Sequence, residues 1–391
     1  MTPGPRVAVF GAGAFGGWTA LTLARRGARV ALVDAWGPGN SRASSGGETR
    51  VIRATYGTHR VYTQMASRAL DLWRAHEARW QRTFFRRTGV LWMFGPPNDG
   101  RFGRASMEAL DAHGLPIEAL PVDEAGRRYP QVSFDGISSV LFEPEAGYLL
   151  ARRACEHIVE RFVAEGGEYR LGAAETPVRL DGTEVSSIAL VNGERVDADQ
   201  FVFACGPWMG RLFPDVLGRL ITVTRQDVHY FGPPAGDDRF SDDRLPVWVD
   251  YRNRLLYGIP GNAHRGFKIA DDEAGGEFDP TDGHREVSEA GVAAARAFLA
   301  RRFPALAGAP LVGSEVCQYE STADANFVID RHPTARNVWM AGGGSGHGFK
   351  MGPVVGEIVS ALILDAAELD PLFTCDRFAN PPTGGWRAKW S

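Results

Sequence analysis

The run Arg6-Val7-Ala8-Val9-Phe10-Gly11-Ala12-Gly13-Ala14-Phe15-Gly16, continued to Ala28-Arg29-Val30-Ala31-Leu32-Val33-Asp34, decides the reading of this chain. Arg6 to Phe10 has the composition of a short buried strand. Gly11, Gly13 and Gly16 follow in GxGxxG spacing, and apolar positions recur at helical intervals from Trp18 to Arg26, where Gly27 closes the helix. Ala28 to Val33 is a second apolar strand, and Asp34 ends it eighteen residues after Gly16. This order of strand, glycine turn, helix, strand and acid is that of a dinucleotide site. Gly11 permits the tight turn, Gly13 lets the backbone approach a pyrophosphate, and Gly16 allows helix and strand to pack closely. The helix N-terminus offers N–H groups and a positive dipole end to the phosphates. Asp34 is placed to accept from ribose hydroxyls, and its charge argues against an NADP 2′-phosphate.

Outward from this unit the pattern changes. Trp36 to Arg50 is rich in glycine, serine and proline and reads as a long loop. A simple NAD enzyme would continue with further βα units. Here the loop carries Arg50, leads on to Arg53 and then into β-rich sequence with no second fingerprint, so FAD is favoured over NAD. Tyr62, Met65, Ala69, Leu72 and Trp73 predict an amphipathic helix, Ala154 to Phe162 another, and Ser288 to Arg302 a third. Residues 83–147 and 216–316 read as short strands and turns, and Phe201 to Ala204 as a buried strand. The C-terminal part returns to strand (Asn337 to Ala341), glycine loop (Gly342 to Lys350) and helix (Val354 to Leu364). The expected fold is mixed α/β (α+β). A Rossmann-like FAD-binding domain comes from 1–80, 148–215 and 317–391, and a β-rich substrate domain from 81–147 and 216–316.

A chain of 391 residues is too long for one ordinary core, in line with two domains. Lysine plus arginine (43) against aspartate plus glutamate (47) leaves −4, which gives no footing for a nucleic-acid partner. No apolar run approaches a membrane span, and Met1 to Arg6 lacks the features of a secretory signal. Cys155, Cys205, Cys317 and Cys375 form no CxxC pair, so neither a metal site nor a disulfide framework is expected, and a reducing cytoplasm is the expected location.

Several further segments carry a resemblance. They are Gly47-Glu48-Thr49-Arg50-Val51-Ile52-Arg53, Thr88-Gly89-Val90-Leu91, Tyr257-Gly258-Ile259-Pro260, Gly266-Phe267-Lys268, Val316-Cys317-Gln318-Tyr319, Phe327-Val328-Ile329-Asp330 and Gly344-Ser345-Gly346-His347-Gly348-Phe349-Lys350. In order and spacing, from residue 6 to about 365, the chain resembles the monomeric sarcosine oxidase and N-methyl-amino-acid oxidase family of D-amino-acid-oxidase-like flavoproteins. The resemblance implies FAD, joined through the sulfur of Cys317 to the flavin 8α-methyl, with Arg50 beside the ring. It implies cofactor contacts at Gly11, Gly13, Phe15, Gly16, Asp34, Ser44, Thr49, Gly344, Gly346, His347, Gly348 and Lys350.

The same resemblance assigns Arg53 and Lys350 to the substrate carboxylate and Lys268 to activation of O2. It places Tyr257 and Tyr319 near the substrate, where each could equally be packing. The implied reaction is hydride transfer from a small secondary-amine or N-methyl amino acid to flavin N5. An imine forms, and O2 is reduced to H2O2 by a monomeric enzyme. The alternatives are a flavin dehydrogenase or a biosynthetic tailoring oxidase of a larger or cyclic amine or imine. Two departures bear on the substrate. Asp272 replaces a histidine of the sarcosine-oxidising members, which favours a cationic or bulkier group over plain sarcosine. Trp248 falls where a smaller side chain lines their pocket.

Overall fold

Apolar residues on both faces of Arg6–Phe10 (Val7 and Val9 on one, Ala8 and Phe10 on the other) force this strand into the middle of a sheet covered on both sides. The computed structural model describes residues 4–379 apart from Asp99 and Ala274. Met1 to Pro3 and residues 380–391, the outer ends of the expected nucleotide domain, lie outside the described residues. Arg6–Phe10 pairs in parallel with Arg29–Asp34 on one side and Gln200–Phe203 on the other, Val7 standing opposite Val30 and Gln200. Glu168–Leu171 extends the sheet at one edge. Val338–Gly342, then the antiparallel Val328–Arg331, extend it at the other, giving six strands. Helix Ala14–Arg25 packs beside Ala151–Ala164 and Gly352–Leu364. Gly11 takes φ +102, and a Cβ at Gly16 would lie 1.8 Å from the Gly11 carbonyl oxygen, so no larger residue fits this crossing.

A second sheet has eight strands, in the order Leu311–Thr322, Ile221–Phe231, Phe267–Asp271, Leu255–Ile259, Val247–Tyr251, Val90–Phe94, Ser139–Glu143 and Glu118–Leu120. Its longest pairing is antiparallel, from Ile221 opposite Thr322 to Phe231 opposite Leu311. Strand alternation gives the sheet two unlike faces. Leu91, Met93, Trp248, Phe267 and Ile269 pack under helix Glu289–Arg302, whose N-terminus is capped by the Ser288 side chain accepting from Gly291 N–H. Trp92, Val249, Tyr257 and Lys268 lie on the opposite face. The helix side also holds the Asp250–Arg302 pair, 2.7 Å apart with both side chains almost wholly buried.

Two expectations are corrected. Region 83–147 contains helices Arg101–Ala112 and Val122–Arg128 among its strands. The first buries Phe102, Gly103, Ser106, Ala109 and Leu110 and exposes Arg101, Arg104, Glu108 and Asp111, an amphipathic pattern passed over because the prolines and glycines around it read as turns. Region 216–316 includes one strand of eleven residues, Ile221–Phe231. No helix among the described residues is long and apolar enough to cross a membrane.

Candidate active site

The glycine turn after Arg6–Phe10 and the one after Val338–Gly342 face each other across one groove of about 290 Å³. It is lined by Gly11, Gly13, Phe15, Asp34, Ser44 and Arg50 on one side and by Tyr319, Gly344, Gly346 and Gly348 on the other. Asp34 accepts from the N–H groups of Ala12 (2.7 Å), Trp36 (2.9 Å) and Gly37 (2.7 Å), so its carboxylate also fixes the turn at the strand end. Gly16 serves packing and does not line the groove.

A smaller chamber of about 70 Å³ adjoins the groove, and Arg50, Tyr319, Gly346 and Phe349 border both. At one end Arg53 lies over the rings of Tyr56 (4.5 Å) and Trp92 (5.1 Å), and Lys350 lies 5.4 Å from the same Tyr56 ring. Arg53 donates to the Thr55 carbonyl, and Lys350 to the His347 carbonyl at 2.9 Å. These two buried cations form an anion-seeking pole suited to a carboxylate. Across the chamber Tyr319 donates its hydroxyl to Asp272 at 3.1 Å. Burial pushes Tyr257 up to about 12 and Tyr319 well above its ordinary value, so both remain protonated donors at neutral pH.

Behind the wall between groove and chamber sit the remaining charged groups. Arg50 donates to Cys317 Sγ (3.2 Å), to the Ser44 carbonyl (2.5 Å) and to the Thr49 carbonyl (2.8 Å). Lys268, buried, donates to the same Thr49 carbonyl at 2.9 Å. Burial, and next the Arg50 charge, push the Lys268 ammonium down to about 7. Cys317, Thr49 and Lys268 therefore cluster at Arg50, although none of the three lines either cavity. The Thr49 hydroxyl is buried with no hydrogen-bond partner among the described residues. His347 donates Nε2–H to the Ala325 carbonyl (2.9 Å) and sets Nδ1 toward the Tyr56 hydroxyl (3.3 Å). Its ring thus braces the glycine turn while its carbonyl holds Lys350. A Cβ at Gly346, where φ is +72, would lie 2.6 Å from the Tyr319 ring, so close approach of turn and tyrosine requires glycine there.

Trp248, expected in the substrate pocket, is not there. Its ring packs against Phe267 (5.8 Å), Phe298 (5.5 Å) and Phe303 (4.9 Å) on the opposite face of the sheet, and Val249 is the chamber residue. Four site residues escaped the sequence reading. Glu143, buried, accepts from Ala54 N–H at 2.5 Å and from the Thr55 hydroxyl, anchoring the backbone that carries Arg53. Glu320 lines the groove and accepts from the Ser44 hydroxyl at 2.5 Å, and burial raises its carboxyl above the usual range. Trp36 and Trp208, 4.7 Å apart, border the end of the groove near Asp34. Neither acid carried a local signal, since the groups each one holds come from distant parts of the chain.

The residues present fit FAD. Helix Ala14–Arg25 begins with no side-chain cap and no acid in its first turn, leaving its N-terminal N–H groups to phosphates. A Cβ at Gly13 would meet little but the Ser45 hydroxyl at 3.2 Å, so the turn is open toward the groove. Arg50, at the junction of groove and chamber, and Lys268 beside it bring two cations together there. A profile of the family described as FAD dependent oxidoreductase (DAO) matches residues 6–362. A monomeric sarcosine oxidase of Bacillus sp. (strain B-0618) is 33% identical over 367 residues, 92% of this chain and 92% of the relative. An N-methyl-L-tryptophan oxidase of Yersinia pestis (strain Pestoides F) is 26% identical over 368 residues, 91% of this chain and 94% of the relative. In fold the chain is similar to an L-proline dehydrogenase from P. horikoshii, with a TM-score of 0.83, 19% identity and coverage of 97% and 99%.

Proposed function

The chain belongs to the FAD dependent oxidoreductases, in the monomeric sarcosine oxidase group, and on that premise we propose an oxidase of small N-methyl or other secondary-amine amino acids that reduces O2 to H2O2. The observation that carries this reading is the joining of two devices at Arg50. A groove between two glycine turns meets a chamber whose inner end presents Arg53 and Lys350.

Bound in the groove, FAD supplies the acceptor for a hydride from the carbon next to nitrogen and the route of its electrons to O2. The protein's own part is binding, orientation and charge. Arg53 and Lys350 take the substrate carboxylate, the former as a two-point fork and the latter as a point charge. Trp92, Val249 and Leu255 supply apolar wall that excludes water. The Gly346 carbonyl is assigned to the substrate nitrogen, and the Tyr257 and Tyr319 hydroxyls to its orientation. Lys268 supplies an ammonium for the charge that develops on oxygen. A covalent tether at Cys317 belongs to the same proposal, supported by the guanidinium 3.2 Å from its sulfur. A monomer in the reducing cytoplasm, with none of its four cysteines in a disulfide, also belongs to it. So does the division into a nucleotide unit (1–80, 148–215, 317–391) and an inserted β-rich unit.

Peroxide-coupled assay of the purified flavoprotein against N-methyl and cyclic amino acids tests the activity. Reduction of dyes under nitrogen with no peroxide in air for any of them would overturn it. After acid precipitation the yellow colour should stay with the wild-type pellet and pass into the supernatant for Cys317→Ser. Free flavin from the wild type would remove the tether and leave the oxidase reading intact.

A further inference from the structure

We infer that the substrate carries a second positive charge, apart from the nitrogen that reacts, and that Asp272 receives it. This rests on the reading of the chamber as the amine-oxidising site.

The placement of Asp272 follows from strand geometry. Lys268 and Ala270 share the inward face of Phe267–Asp271, and Asp272 takes the next position on that face, one residue past the strand's end. Four residues of extended chain put it about 13 Å from Lys268 along the backbone. Its N–H donates to the Leu255 carbonyl at 2.9 Å, which fixes the backbone, and Tyr319 fixes the side chain from the hydroxyl. Asp272 is half-buried, whereas Arg53 and Lys350 are buried, so the carboxylate stands at the outer side of the chamber and the cations at the inner. The neighbouring acids point elsewhere. Asp271 pairs with Arg254, Glu273 pairs with Arg254 as well, and Glu143 lies behind Arg53 on the Ala54–Thr55 backbone. Among the described residues lining the chamber, Asp272 is the one acid.

The chamber thus presents Arg53 and Lys350 on its buried side and Arg50 at its border with the groove, against a single half-buried carboxylate, Asp272, with Val249 and Leu255 as apolar wall. An amino acid's own carboxylate answers the cationic end. The reacting nitrogen does not answer the other end well, because it must be neutral to release a hydride. A carboxylate beside it would favour its protonated form and oppose the reaction. A cation that never has to lose its proton carries no such conflict. The substrate class that matches both poles is therefore an α-amino acid with a secondary amine and an ammonium or guanidinium on its side chain.

The test compares substrates of matched chain length with the holoenzyme: Nα-methylornithine, Nα-methylnorleucine and Nα-methylglutamate. The expected kcat/KM favours the cationic member over the neutral one about tenfold, less at high salt because the contact is half-exposed. Asp272→Asn should bring that ratio toward one, and Asp272→Lys should shift preference to the acidic member. A binding measurement runs alongside. Calorimetry of 4-(trimethylammonio)butyrate against its uncharged isostere 5,5-dimethylhexanoate should show the same preference and its loss in Asp272→Asn. Equal kcat/KM for the cationic and neutral members, or a ratio that survives Asp272→Asn, overturns the inference. Oxidation of none of the three would instead count against the proposed activity, and the calorimetric comparison would still decide the role of Asp272.

Discussion

Lys268→Met is expected to slow the oxygen half-reaction about 10²–10³-fold, the usual effect of removing one preorganised charge from a developing anion. Anaerobic reduction by substrate should stay within a few-fold. Lys268 donates to the Thr49 carbonyl beside Arg50 and lies 5.9 Å from the ring of Tyr257, which lines the chamber, so it stands close to the wall without itself lining the substrate's place. The sign of the pH effect follows from its depressed ammonium. Burial and Arg50 bring it to about 7, so the charged fraction falls as pH rises through neutrality. The second-order rate constant with O2 should decline over that range in the wild type and be flat in Lys268→Met. The fold should hold, because replacing a buried ammonium with a methionine of similar length removes a desolvated charge, and a thermal melt checks this. Stopped-flow mixing of reduced enzyme with O2 gives the answer. An unchanged, pH-independent rate constant would make Lys268 a structural residue.

Arg53→Met should lower kcat/KM for amino-acid substrates about 10²–10³-fold, chiefly through KM, since truncating one partner of a buried charge contact costs of that order. Arg53 sits over Tyr56 and Trp92 with its backbone strapped by Glu143. The single variant leaves Glu143 buried without its neighbouring cation, which alone could disturb the loop. The double variant Arg53→Met/Glu143→Gln removes both charges and should restore the melting temperature without restoring KM. Arg53→Lys keeps the charge and loses the fork, so it should fall between wild type and Met. Primary amides of the same amino acids supply the control. Having no carboxylate, they should be poor substrates of the wild type and be little affected by the substitution. A KM for the free acids that Arg53→Met leaves unmoved would take Arg53 out of substrate binding.

Much of the fold was legible because it is written locally. Arg6 to Asp34 declares strand, turn, helix and strand within twenty-nine positions, and the structure has Arg6–Phe10, Ala14–Arg25 and Arg29–Asp34. The helix at Arg101–Ala112 was missed although its apolar and charged faces are distinct, because Pro96, Pro97, Gly100 and Gly103 in and before it read as turn residues. In the candidate site, Arg53 and Lys350 were named from motif segments, and the structure brings both to the Tyr56 ring. Glu143 and Glu320 had no local signature. Their hydrogen-bond partners lie 89 and 276 positions away, so each reads as an ordinary acid until the chain is folded.

By itself the sequence determined what depends on neighbours along the chain: a dinucleotide turn, the helix behind it, a second glycine turn near the C-terminus, and which side chains carry charge. The tertiary structure alone decided which face each strand residue presents. Trp248 and Val249 are adjacent, yet one packs under Glu289–Arg302 and the other lines the chamber. The reason is the two-residue period of a strand. A single step reverses the side, and the choice between sides is made by whatever packs against the sheet from elsewhere in the chain.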